Sequence, residues 1–376
     1  MKVRLGNYIN EYSVRNKNDE NIPVYSVTNT KGFCRDYFGK EVASKDKTTY
    51  KIVPRGYFAF NPSRINVGSV DWQRNEDRVI VSPLYNVFSV SPQLDQQYLY
   101  YYLKSDFVLQ RIRAVATGSV RDNLKLAMLY EFPIRLPSIE RQKEMAERLD
   151  KVKNVIALRE QEYQRLDELI KARFVELFGD PVSNPKGWEK KALSDEAEIK
   201  IGPFGSLLHK EDYIAGGHAL VNPSHIVDGK ILPDDKLTVS DEKYDELSAY
   251  HLRIGDVVMG RRGEMGRCAV VEQVGLLCGT GSLLIRTNGD LSADYIQKII
   301  SFPSFKRIIE DMAVGQTMSN LNVPIVSSFQ IIKPPKSVQD QYYSFVAQVD
   351  KSKAVIQKSL DEVQLLFDSL MQQYFG

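Results

Sequence analysis

The chain is written twice. Gly118-Ser-Val-Arg-Asp-Asn123-Leu124 lies beside Gly315-Gln-Thr-Met-Ser-Asn320-Leu321 at an offset of 197 residues, with Gly, Asn and Leu in step. The same offset pairs Tyr98 with Tyr295, Leu103 with Ile300, Ile112 with Ile309, Phe132 with Phe329, Ile134 with Ile331 and Pro137 with Pro334. Solenoid units run to about 20–45 residues, so a repeat this long predicts a duplicated domain pair instead. Further on, Leu149-Asp150-Lys151-Val152-Lys153 matches Val349-Asp350-Lys351-Ser352-Lys353 at an offset of 200. Both copies then end alike, Phe178-Gly179 and Phe375-Gly376, back at 197. That pattern predicts that the second copy drops three residues there, close to one helical turn.

The segments after each globular unit carry a helical period. Met145, Leu149, Val152, Ile156, Tyr163, Leu166, Ile170 and Leu177 recur at spacings of three, four and seven, with only Arg159 and Arg173 interrupting. The positions 200 further on are Val349, Ser352, Ile356, Ser359, Val363, Leu366 and Leu370. Alternating threes and fours over about four heptads make a coiled-coil seam. A helix from Ile139 to Phe178 spans roughly 60 Å at 1.5 Å per residue, and Gly179 followed by Pro181 is a stop signal. One such helix would pack on its own globular unit. Two of matching period, too long for one small domain, are expected to pack on each other, antiparallel about a pseudo-two-fold axis.

The expected fold is therefore α+β: two α/β globular domains separated by two long helices in an antiparallel coiled coil, with a pseudo-two-fold internal repeat. The boundaries are residues 1–137, a central helix at 138–180, a second domain at 181–335 and a closing helix at 336–376. In the first unit Val24–Val27, Tyr57–Phe60 and Val79–Val81 read as strands, followed by a helical stretch from Asp95 to Val115. In the second, Val257–Met259, Cys268–Val271 and Leu283–Ile285 read as strands before a helical stretch from Ala293 to Met312. Gly, Pro and Asn punctuate both.

A length of 376 residues fits two or three domains. Apolar residues at 43% and charged residues at 26% are globular composition. Three cysteines, Cys34, Cys268 and Cys278, are too few and scattered for a disulfide framework, so a reducing, cytoplasmic setting is expected. The first residues carry no apolar run of signal-peptide length, and no stretch reaches membrane-spanning length. No membrane partner is expected. With 50 basic and 48 acidic residues the net charge is only +2, so nucleic-acid binding has to come from local patches.

Junction motifs carry a resemblance. Phe178-Gly179-Asp180-Pro181 with Asn184-Pro-Lys-Gly-Trp188 is similar to the linker of specificity subunits of Type I restriction–modification systems. So are Ile201-Gly-Pro-Phe-Gly205-Ser206 with His209-Lys210, Asn222-Pro-Ser-His-Ile226, and Phe60-Asn61-Pro-Ser-Arg64-Ile-Asn66-Val-Gly68. The tail from Asp350 to Gly376 resembles that family's closing helix, and the likeness covers essentially the whole chain. It implies target recognition domains that each read one half of a split double-stranded DNA site. It implies helices that separate them and dock two methyltransferase subunits, with restriction subunits joining for cleavage. It also implies a chain that is not itself the catalyst. Because the two units differ in sequence, the site should be asymmetric. Two other readings are an adenine DNA methyltransferase or restriction-enzyme fragment carrying its own recognition domains, and a protein-interaction scaffold.

DNA readout needs forked donors and amides for base edges, and basic or hydroxyl groups for phosphates. Gly260-Arg261-Arg262-Gly263 and Gly266-Arg267 place three guanidinium groups in one loop; a solvated hairpin compensated by Glu264 is the other reading. In the first unit Asn61, Arg64 and Asn66, then Ser119, Arg121 and Asn123, are candidates. Gln316, Thr317, Ser319 and Asn320 are their counterparts. Both later runs are equally readable as a helix C-cap and turn, with the asparagines bonding nearby backbone. Ser206 and Lys210 are phosphate candidates after the Gly-Pro-Phe-Gly turn, which is equally readable as structural.

Catalytic constellations are missing from the pattern. Asn61-Pro62-Ser63-Arg64 resembles the Asn-Pro-Pro-aromatic loop of adenine methyltransferases but lacks its second proline and the aromatic that stacks a flipped base. No glycine-rich strand-to-helix turn offers a cofactor site, and no Gly-x4-Gly-Lys-Ser/Thr loop offers one for ATP. His209, His218, His225 and His251 do not combine with Cys268 and Cys278 at zinc spacing. No cofactor or metal is expected.

Overall fold

A computed structural model of the chain describes residues 2–35, 46–115, 123–264, 266–288, 290–314 and 320–376. It divides into two compact units, Met1–Gln164 with Lys353–Gly376, and Arg165–Ser352.

In the first unit a four-stranded antiparallel sheet runs β1 (Ile9–Glu11), β4 (Asn86–Val90), β2 (Phe58–Phe60), β3 (Val70–Trp72) across its width. Strand β2 is Phe-Ala-Phe and fully buried, as an inner strand covered on both faces should be. Its Phe58 lies opposite both Phe88 and Trp72. The second unit repeats the order with β5 (Ala197–Ile201), β8 (Ser282–Thr287), β6 (Val257–Gly260) and β7 (Cys268–Val270). There Val257 lies opposite Ile285 and Val270. Phe88 and Ile285 are 197 apart, so the repeat in the sequence is a repeat of sheet register.

The helical stretches each break in two. Helix α1 (Gln96–Lys104) ends at Ser105, which is extended and whose carbonyl oxygen accepts Leu109 N–H at 2.9 Å as α2 (Asp106–Val115) begins. In the second unit α4 (Ala293–Ile300) stops before Pro303, the first residue of α5 (Pro303–Val314). The residue before a proline is pushed out of helical geometry, and proline at the first position of a helix is favoured. Asp95 and Ser292 cap α1 and α4, accepting from Tyr98 N–H and Tyr295 N–H.

The long helices are α3 (Ile139–Phe178) and α6 (Lys336–Phe375), each 40 residues. Gly179 follows α3 at φ 77°, with its N–H on Val175 O, so the stop signal works as read. Within the first unit Lys353 lies 4.5 Å over the Tyr163 ring. Phe367, Leu370 and Met371 join the core that holds Met145, Ala146 and Leu149. Within the second unit Phe174 and Tyr342 meet at 5.6 Å and Arg173 lies 5.6 Å over Phe345. Rising numbers on α3 meet falling numbers on α6 in each unit, so the helices form an antiparallel coiled coil. Its seam on α3 leaves Val152, Ile156, Tyr163, Leu166, Ile170 and Leu177 half-buried and Met145 and Leu149 buried. Arg159 stands in that seam with its guanidinium on Glu162 at 2.7 Å.

The three-residue slip is absent. Both helices have the same length and start and end 197 apart, so the buried face of α6 follows +197 throughout. It runs Tyr342, Val346, Val349, Lys353, Ile356, Leu360, Val363, Phe367, Leu370 and Tyr374. Ser352 is exposed and Leu366 is 50% exposed; Lys353 and Phe367 take their places. The error has a simple cause. Three residues turn a helix by about 300°, so a slip of three leaves the apolar stripe nearly in place and hides in the pattern.

Each unit is closed by the end of one long helix. Tyr98 packs on Phe375 at 5.1 Å and donates to Arg135 O; Tyr295 packs on Phe178 at 5.0 Å and donates to Ile332 O. All three residue pairs, Tyr98/Tyr295, Phe178/Phe375 and Arg135/Ile332, stand 197 apart. The rings are buried, each contributing on the order of 2 kcal/mol of hydrophobic stabilisation.

Candidate nucleic-acid interface

The loop after β2 is held by its own side chains. Asn61 Oδ1 accepts Ser63 N–H at 3.1 Å, and Arg64 N–H returns to Asn61 O. Ile65 is buried beneath it, and Gly68 at φ 86° lets the chain turn back into β3. Asn123 reaches this loop: Ser63 Oγ lies 2.7 Å from Asn123 Oδ1, and Leu124 N–H donates to Pro62 O. Arg64 and Asn123 are exposed, Asn66 half-buried. Thus Asn61, Arg64 and Asn123 meet in space. Ser119 and Arg121 lie outside the described residues.

Beside this loop sits a polar notch of about 50 Å³, lined by Asn61, Arg64, Ser26, Thr28, Asn29 and Tyr85 among others. Burial pushes the Tyr85 hydroxyl above its ordinary range, partly offset by hydrogen bonds to the Val27 backbone and the Asn61 and Ser26 side chains. Sequence reasoning missed Tyr85. It follows a Ser-Pro-Leu turn at the start of β4, and only the sheet order brings that turn beside Asn61.

The second unit builds the same place from other residues. Leu321 N–H donates to Arg261 O at 3.0 Å, the counterpart of Leu124 on Pro62. The Arg261 guanidinium donates to Leu321 O, and the Asn320 amide faces Arg261 O and Nη2. Desolvation first, and the neighbouring Arg262 second, lower the Arg261 pKa. Arg262 is exposed. Glycines let three more loops close in: a Cβ on Gly202 would meet Gly279 O at 2.0 Å, and one on Gly279 would meet Asn222 Oδ1 at 2.3 Å. Gly281 N–H donates to the same Asn222 Oδ1. Loops starting at Gly202, Asn222, Gly260, Gly279 and Asn320 therefore converge, presenting exposed Ser206, Ser224, Arg262 and Thr280.

Lys210 is exposed in a separate short turn, where His209 N–H donates to Asp212 Oδ2 at 2.7 Å. Arg267 stands at the foot of the β6–β7 hairpin, ion-paired to Glu264 at 2.5 Å and donating to Pro223 O. Lys306 pairs with the same carboxylate, and the two cations hold the Glu264 pKa below its ordinary value. The compensation read for this hairpin thus falls on Arg267 and not on Arg262. Gln316, Thr317 and Ser319 lie outside the described residues. Among the described residues no cluster of His, Cys, Asp and Glu is arranged to hold a metal ion, and no helix is long and apolar enough to cross a membrane.

The Type I restriction modification DNA specificity domain model matches residues 2–168 and again 185–365. The chain belongs to that family. It carries the domain twice, as a DNA-binding specificity subunit of a restriction–modification system. The specificity subunit of the Type I restriction enzyme MjaIX of Methanocaldococcus jannaschii is 23% identical over 301 residues, covering 73% of this chain and 67% of that protein. The MjaVIII specificity subunit of the same organism is 30% identical over 78 residues, 21% of this chain and 18% of that protein. Among solved structures, one describing assembly and conformational transition of the type I R-M system superposes with a TM-score of 0.66 at 17% identity, covering 100% of this chain and 97% of that one. The S subunit from M. genitalium superposes with a TM-score of 0.55 at 14% identity, covering 100% and 96%. These likenesses agree with the repeated fold.

Proposed function

We propose that this chain is the sequence reader of a Type I restriction–modification complex in the cytoplasm. Residues 1–137 and 181–335 each read one half of a split, asymmetric site in double-stranded DNA. The helices at 138–180 and 336–376 set the spacing and dock two methyltransferase subunits. Restriction subunits join for cleavage, and catalysis lies in the partners. One observation carries the reading. The same backbone hydrogen bond, Leu124 to Pro62 and Leu321 to Arg261, fixes a loop beyond the same inner strand in both units. The side chains presented there differ, Asn61, Ser63 and Arg64 against Arg261 and Arg262. A common scaffold with different polar tips is what two different half-sites need. Apolar side chains left in solvent on the long helices, Val155, Leu158 and Leu169 on α3 and Val355 and Leu365 on α6, support partner docking.

The test is a methylome. The chain is co-expressed with its neighbouring methyltransferase gene and methyladenine is mapped on host DNA. A split asymmetric motif with a fixed spacer is expected, and replacing 181–335 should change one half only. An unsplit or palindromic motif would sink the two-reader account. Methyl transfer by the chain alone would make it an enzyme, and loss of any sequence preference with partners present would make it a scaffold.

A further inference from the structure

The two units differ at one place where the repeat should make them alike. In the first unit Tyr101 of α1 is buried, with its ring 6.2 Å from Phe367 of α6 and its hydroxyl donating to Asp150 Oδ1 at 2.6 Å. The residue 197 further on is Lys298, and the counterpart of Phe367 is Ile170. Lys298 is exposed. In the second unit the space between α3, α4 and α6 is open: a cavity of about 450 Å³ lined by Ile170, Phe174, Phe302 and Tyr342, with Lys171 and Lys298 at its rim.

Its walls are built for a ring. Phe174 stands 5.7 Å from Phe302 and 5.6 Å from Tyr342, so the three rings form one contiguous aromatic wall on which a further ring can pack. The Tyr342 hydroxyl is buried and has no hydrogen-bond partner among the described residues. Neither Lys171 nor Lys298 forms an ion pair among the described residues, so the rim favours a carboxylate. Val175, 46% exposed, extends the apolar surface outward along α3.

We propose that this cavity receives an aromatic side chain, flanked by a carboxylate, from the methyltransferase subunit docked on the second unit. The first unit points to the occupant's chemistry, since its own Tyr101 stands at the position of the cavity-lining Lys298 and packs on Phe367, the counterpart of the lining Ile170. The inference rests on the partner docking proposed above. It adds that the two docking positions are unequal: one has an anchor pocket and the other is closed.

The experiment is native mass spectrometry of the full chain with its methyltransferase, comparing wild type with Lys298→Tyr, which puts the first copy's residue into the second. The variant should retain a cooperative melt and bind the first methyltransferase subunit unchanged. It should bind the second at least tenfold more weakly. Two affinities within twofold of wild type, in a folded variant, would overturn the pocket while leaving docking on the helices intact. Should Lys298→Tyr fail to fold, Lys171→Glu with Lys298→Glu decides by the same readout, because both side chains lie at the surface: a tenfold loss supports the pocket and no loss overturns it. Failure of the wild-type chain to bind any methyltransferase would remove the reading of function itself, and the pocket with it.

Discussion

Two neighbouring arginines on one hairpin do different work. Arg262 is exposed, whereas the Arg261 guanidinium is spent on Leu321 O and the Asn320 amide. Arg262→Ala should weaken DNA binding and lower the salt slope by about 1, as loss of one phosphate contact does. Arg261→Ala should in addition loosen the 320–321 loop and cost about 1 kcal/mol of stability through the lost hydrogen bond. A titration of affinity against salt, with thermal melts of both variants, separates the two roles; equal salt slopes for wild type and Arg262→Ala would take that side chain off the DNA. The cysteines give a second residue-scale test. Burial pushes the Cys268 thiol up to about 11 and the Cys278 thiol up to about 12, while Cys34 is half-buried. At pH 8 iodoacetamide should label the native chain once, at Cys34, and three times after unfolding; native labelling at Cys268 or Cys278 would contradict that burial. The sequence made Arg262 visible through its glycine frame. It could not reveal Tyr85 or Thr280, because those residues reach the loops through strand order, which no local spacing encodes.

At the scale of elements the long helices test what patterning can and cannot say. Period and length were legible, because apolar residues every three or four positions leave few alternatives to a helix seam. Register between copies was not. Asp-Lys-x-Lys matched at 200, yet both helices run 40 residues at +197, and the larger Phe367 takes the buried place expected for Leu366. The breaks at Ser105 and Pro303 were likewise hidden by continuous hydrophobicity, since tertiary burial keeps both halves apolar. The corrected register predicts a contrast. Leu366→Asp changes a half-solvated position and should cost no more than about 0.5 kcal/mol. Phe367→Asp puts a carboxylate against Tyr101 and should cost on the order of 3 kcal/mol. Urea melts of the two variants decide it, and the reverse order would restore the +200 register. Leu166→Asp, at a half-buried seam position, should fall between them.

For the whole molecule, the account of the helices as a spacer carries a length prediction. The coiled coil is antiparallel, so each added turn on α3 must be matched by one on α6 or the seams part. Seven residues keep the apolar stripe on its own face, because two turns of helix close the heptad to within about 20°. They add about 10.5 Å of helix, the rise of about three base pairs of duplex at 3.4 Å each. Inserting one heptad into each helix, after Gln164 on α3 and at the facing point after Ser352 on α6, should therefore lengthen the methylated motif's spacer by about three base pairs. Both half-sites should keep their sequences, since neither loop cluster is touched. The same heptad in one helix alone should abolish assembly, because every seam residue beyond it would face the wrong partner. Mapping methyladenine for the three chains reads all of this at once: an unchanged spacer in the double insertion would mean that the helices do not set the distance, whatever the recognition loops read.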